Sequence, residues 1–105
     1  MREVLIHFPL YSNVEQVFIA LNEDAKVLPS KEYACEKPIV YYGSSITQGG
    51  CASHAGNSYQ AIIARSLDVN YVNLGFSGGC RAEEIMAEYI SDLDMSAVIG
   101  WMAEK

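Results

Sequence analysis

The sequence predicts an α/β fold: a parallel sheet flanked by helices, with a few antiparallel strands ahead of it. Three observations predict it. Ile39-Val40-Tyr41-Tyr42 is a continuous apolar run stopping at Gly43, as expected of a parallel strand buried on both faces. Two later segments carry apolar residues at helical spacing, and each is followed by another short apolar run. The resulting order, β-α-β-α-β with short connections, implies parallel strands joined by right-handed crossovers.

Before Pro38 the apolar pattern has period two. Val4, Ile6 and Phe8 alternate with Leu5 and His7, and Val17, Ile19 and Leu21 alternate with Gln16, Phe18, Ala20 and Asn22. This spacing predicts antiparallel strands over 3–8, 15–21 and 26–28, separated by turn residues at 9–13 and 22–26. Two or three strands cannot close a core alone, so they must pack on something else. The polar stretch 31–37 reads as a linker, and the chain divides into 1–36 and 37–105. After the first parallel strand comes a small-residue loop over 44–57. Tyr59, Ile62, Ile63 and Leu67 then form a helical stripe, with Asn57 or Ser58 as N-cap. A second strand covers 69–76 and ends at Ser77-Gly78-Gly79. The second stripe is Ala82, Ile85, Met86, Tyr89, Ile90 and Leu93, with Glu83 and Glu84 in the first turn, where the helix dipole favours acids. Ala97-Val98-Ile99 begins a third strand.

Composition narrows the function classes. Seven Lys and Arg against thirteen Asp and Glu leave a net charge of −6 over 105 residues. That balance argues against nucleic acid or an anionic membrane surface as the main partner. Half the residues are apolar and 19% are charged, too apolar for a disordered chain. No apolar stretch approaches the roughly 18–20 residues of a membrane span. The opening Met1-Arg2-Glu3-Val4-Leu5-Ile6-His7 does not read as a signal peptide. Cys35, Cys51 and Cys80 form no C-x-x-C and have only His7 and His54 to join them, so no metal site is expected. An odd count excludes a fully paired disulfide framework. It favours buried or half-buried free thiols and a reducing, cytoplasmic compartment.

Two loops can carry chemistry, each just past the carboxyl end of a strand, where open α/β sheets place their sites. The first reads Gly43-Ser44-Ser45-Ile46-Thr47-Gln48-Gly49-Gly50. A serine there can present its Oγ and a neighbouring N–H, as a nucleophile with an oxyanion donor requires. The same residues also suit a plain turn in which Ser44 or Ser45 caps backbone groups. The second loop, Asn73-Leu74-Gly75-Phe76-Ser77-Gly78-Gly79, permits close backbone approach and offers a free N–H; it also suits a simple turn.

Residues 38–53, from Pro38-Ile39-Val40-Tyr41-Tyr42-Gly43-Ser44-Ser45 to Ser53, resemble the first sequence block of the GDSL-type, or SGNH, serine hydrolases. Asn73-Leu74-Gly75-Phe76-Ser77-Gly78 is similar to the second block of that family. The resemblance covers residues 38 to about 99 and is nearest to members in which a small β-sandwich precedes the hydrolase domain. It implies a three-layer α/β/α, flavodoxin-like sheet in truncated form, with residues 1–36 as the end of the sandwich. It also implies ester hydrolysis through an acyl-serine, acting on a small-molecule ester such as an acylated carbohydrate, without metal or organic cofactor. By resemblance Ser45 is the nucleophile, and the N–H groups of Ser45 and Gly78 belong to the oxyanion hole. Ser44 stands where many members carry Asp.

The family's third block supplies an Asn and its last block an Asp-x-x-His pair. Here no Asn or His follows Asn73, and the ending Gly100-Trp101-Met102-Ala103-Glu104-Lys105 does not resemble the family's continuation. Weak or absent activity of this chain is therefore the expectation. His54, nine residues after Ser45, is a candidate base or pocket-rim residue, and Arg81 a candidate for an anionic substrate group. Asp68 or Glu83 would have to orient such a base. His7 reads as structural. Tyr41 and Tyr42 belong to a buried strand, while Tyr59 and Tyr89 fall on core-facing stripes. Two other classes stay open: a non-catalytic module holding an anion at its loops, and a structural fragment that self-associates through its open sheet edge as a homo-oligomer.

Overall fold

A strand flanked by parallel neighbours must be apolar on consecutive residues, and Val40, Tyr41 and Tyr42 are all buried. In the computed structural model, which describes residues 1–100, they lie in β1 (Cys35–Gly43). The chain continues through α1 (Ser45–Gln48), a 3-10 turn at Ala55–Asn57, α2 (Tyr59–Leu67), β2 (Val69–Gly75), α3 (Glu84–Ser91) and β3 (Ala97–Gly100). The sheet order is β2-β1-β3, all parallel, with Tyr41 opposite both Asn73 and Ile99. The fold is α/β, as the pattern predicts. Residues 101–105, which carry most of the ending expected to depart from the family's continuation, lie outside the described residues.

The first 34 residues differ from expectation. The segments 3–8, 15–21 and 26–28 form no strand. Alternation builds a ladder only beside a second chain segment offering N–H and C=O groups at matching spacing. No such ladder forms over these segments among the described residues, and Val4, Leu5, Ile6, Phe8, Val17, Ile19 and Leu21 stay exposed on both sides of the pattern. The expected turn near 22–26 is present, closed by Ala25 N–H on Asn22 O at 2.9 Å. The linker is shorter than read, because Cys35–Lys37 already belong to β1. Among the described residues no disulfide forms, and Cys35 and Cys51 are exposed rather than buried.

The core joins β1 to α2. Ala61 and Ala64 are small enough to bring the helix onto the sheet, and Val69 closes one end. Tyr41 packs edge-to-face on Tyr59 (5.6 Å between centroids) and Tyr71 (6.4 Å). Ser58 takes the N-cap, its Oγ accepting from Ala61 N–H at 3.4 Å. The buried face of α2 is Gln60, Ala61 and Ala64, whereas Ile62 and Leu67 of the expected stripe point outward. Gln60 is buried because its amide donates to Thr47 O; its own Oε1 has no partner among the described residues. In α3 the stripe is likewise not covered: Ile85 and Tyr89 are exposed. Glu83 is the N-cap of α3 and Glu84 its first-turn acid, while Ala82 lies outside it at φ 51°. Lys37 Nζ pairs with Asp94 at 2.6 Å and Ser96 N–H donates to Pro38 O at 3.0 Å, fixing the start of β3 against β1.

Candidate functional site

The register sets the site. β1 and β2 end level, with Gly43 opposite Gly75, and Phe76 N–H donates to Gly43 O at 2.8 Å. Both glycine-rich loops therefore leave the sheet from adjacent points at its carboxyl edge. Gly75 lets them touch. A Cβ there would stand 2.6 Å from the Thr47 carbonyl carbon and overlap the Gln48 backbone. The close backbone approach expected of the second loop occurs at this residue. Its N–H is not free, since it donates to Asn73 Oδ1 at 2.9 Å.

Ser45 is the first residue of α1 and half-buried. Ser44 holds the N-cap position without a side-chain capping bond, so the capping reading is not met there. The Ser45 Oγ and N–H have no hydrogen-bond partner among the described residues. Its carbonyl is fully used, accepting from Gly49 N–H at 3.0 Å, Gly50 N–H at 2.8 Å and Tyr11 Oη at 3.2 Å. The chain turns out of α1 at Gly49, whose φ of 109° suits glycine. Beneath the loop Thr47 is buried, its Oγ1 accepting from Tyr59 Oη at 3.2 Å.

Gly78 sits at φ 73° in an exposed turn closed by Gly79 N–H on Phe76 O at 3.1 Å. Its own N–H has no acceptor among the described residues. Downstream, Ala82 N–H donates to Tyr42 Oη at 3.1 Å. Burial, and then a hydrogen bond with Cys80, holds the Tyr42 phenol above its ordinary pKa, with Glu83 adding a smaller push.

The remaining candidates are dispersed. His54 is exposed and uses only its carbonyl, accepting from Asn57 N–H at 2.9 Å. Arg81 is exposed and forms no ion pair among the described residues. Asp68 caps α2 at the start of β2 and faces Lys31 Nζ at 3.9 Å. At about 3.3 Å per residue, the length of β2 puts it some ~20 Å from the loops. It cannot orient a base there. His7 packs against Gly56, consistent with a structural role.

The sequence pattern did not show that the N-terminal segment reaches the first loop. Leu10 packs on Gly49, Leu10 O accepts from Gln48 Nε2 at 3.3 Å, and Tyr11 braces Ser45. Gln60, a polar residue in a helix otherwise buried through alanines, was the one visible signal of a polar brace. A hollow of about 540 Å³ lies apart from the loops, lined by Val4, Ile6, Ile19, Val27 and Leu28 among others of the first 31 residues. Among the described residues no group of three or more His, Cys, Asp or Glu is placed to hold a metal ion. No described helix is long and apolar enough to cross a membrane.

Comparison with known proteins accounts for this arrangement. The model of the GDSL-like lipase/acylhydrolase family matches residues 36–100. The crystal structure of a protein described as a GDSL-like lipase from Bacteroides ovatus ATCC 8483 is similar, with a TM-score of 0.59 and 45% identity. The match covers 61% of this chain and 19% of that one. No curated protein matches. The matched segment contains both glycine-rich loops and all of the sheet but Cys35, and the chain belongs to the GDSL-like lipase/acylhydrolase family, a family of hydrolases.

Proposed function

We propose that Ser45 is the nucleophile of an ester hydrolysis and that the N–H groups of Ser45 and Gly78 stabilise its oxyanion. One observation carries the reading. The level ends of β1 and β2 bring together two loops whose Ser45 and Gly78 N–H groups have no acceptor among the described residues. Donors left unpaired at a strand tip match the requirement of a developing oxyanion.

In this reading Ser45 Oγ bonds to the ester carbonyl carbon while its proton passes to water, the Asp-x-x-His base of the family not being among these residues. Charge gathers on the carbonyl oxygen. The carbon–oxygen bond to the alcohol then breaks, the alcohol leaves with a proton, and water releases the acid from the acyl-serine. The substrate is a small acyl ester or acylated carbohydrate. The sequence holds no Asn or His after Asn73, so the Asn and the Asp-x-x-His implied by the family are not among these residues. Without them the chain retains only the contribution of binding and oxyanion donors, about 10³–10⁴-fold over water where the triad members have been removed.

A fluorophosphonate probe tests this directly. It is expected to attach slowly to the Ser45 peptide, and Ser45→Ala abolishes the adduct. An adduct on another residue, or equal labelling of the Ser45→Ala chain, overturns the reading.

A further inference from the structure

We propose that Gln48 is a positioning residue, its side-chain amide clamping the loop that carries the Gly78 N–H onto the loop that carries Ser45. The inference rests on the proposed roles of Ser45 and Gly78 and adds the group that sets their separation.

Both ends of the Gln48 amide are engaged. Its Nε2 donates to Leu10 O at 3.3 Å, and its Oε1 accepts from Ser77 N–H at 2.9 Å. Ser77 immediately precedes Gly78, so the peptide unit that donates the Gly78 N–H begins at a residue held by Gln48. The turn closure from Gly79 N–H to Phe76 O restrains the other side. Little else restrains this tip. Residues 76–79 are exposed, and a Cβ on Gly78 would meet nothing within 4 Å. Of residues 77–79, Ser77 alone bonds across to the first loop among the described residues.

The chemistry selects a neutral amide of this length. Asn and Gln alone carry an NH2 donor and a carbonyl acceptor on one planar amide, and Asn is one methylene shorter. A carboxylate would keep the acceptor for Ser77 but set its lone pairs against Leu10 O. Methionine would fill the same space with neither function. The backbone of Gln48 is already against Gly75, so the side chain has only a short gap to bridge.

Amide hydrogen exchange of the 105-residue chain, read by NMR, tests the clamp. Gln48→Met is expected to speed exchange at Ser77 by about tenfold, the equivalent of one lost hydrogen bond. Gln48→Glu retains the acceptor and is expected to hold Ser77 within about threefold of the parent rate. Val40 and Tyr41 amides report that each variant remains folded. Unchanged Ser77 exchange in Gln48→Met overturns the proposal. So does a tenfold rise in Gln48→Glu with the Val40 and Tyr41 protection intact, a result that also decides the matter if Gln48→Met does not fold. Fluorophosphonate labelling is read in parallel. Failure to label Ser45 in the parent chain removes the nucleophile reading, while the Ser77 rates judge the clamp independently.

Discussion

The two glycine-rich loops leave neighbouring strand ends, yet they are held in different ways. The first is braced on several sides: Tyr11 on Ser45 O, Leu10 on Gly49, and Tyr59 and Gln60 on the buried Thr47. The second hangs outward, tied through Phe76 N–H at its root, Ser77 N–H near its tip and Ala82 N–H beyond it. A segment with few apolar contacts and exposed backbone opens at low free energy. The contrast teaches that the proposed nucleophile belongs to the more firmly held partner, and that the proposed Gly78 oxyanion donor sits on the looser one.

Two glycines of the looser loop offer the strongest way to break this picture. Gly75→Ala drives a methyl group into the Gln48 backbone, which cannot rotate aside as a side chain could. It is expected to cost about 3 kcal/mol in urea unfolding and to part the loops. Gly78→Ala meets no atom within 4 Å and is strained only by its φ of 73°, so it is expected to cost about 1 kcal/mol. Equal costs for the two would show that backbone contact at Gly75 does not join the loops.

The braces of the first loop are tested more gently. Thr47→Val keeps the shape and removes the acceptor for Tyr59 Oη, with an expected loss of about 1 kcal/mol in thermal or urea unfolding. A neutral result would mean that the loop is held by its other contacts alone.

The smallest effect appears only in alkali. Burial raises the Tyr41 pKa, with the neighbouring Tyr59 adding to it, and burial also raises that of Tyr42. The folded chain thus holds these protons more tightly than the unfolded chain. Their contribution is complete below about pH 10, the ordinary phenol value, and declines as pH rises above it. The part of the tyrosinate absorbance near 295 nm due to Tyr41 and Tyr42 should therefore rise together with loss of the sheet signal. Ionisation of all seven tyrosines ahead of unfolding would contradict the burial argument.

Much of the sheet could be read from the sequence, because its signals are local. An unbroken apolar run marks β1, and Gly43 and Gly75 mark the strand tips where the loops begin. Both GDSL-like blocks lie in the region the family model matches. Other features were not legible, for three physical reasons. The alternation of residues 3–8 and 15–21 has no ladder, because pairing is a property of two segments and the pattern describes one. The face of α2 was misjudged at Ile62 and Leu67, because close approach to the sheet favours Ala61 and Ala64 and Thr47 O offers Gln60 a partner. The bracing of Ser45 by Tyr11 spans 34 positions, beyond the reach of any periodicity.

That last span has a practical consequence. The stretch recognisable as hydrolase begins at residue 36, so an excised domain would naturally be cut there. Such a cut would discard His7, Leu10 and Tyr11 and strip the Ser45 carbonyl and the Gln48 amide of upstream partners. The smallest piece that preserves the architecture around Ser45 starts ahead of His7.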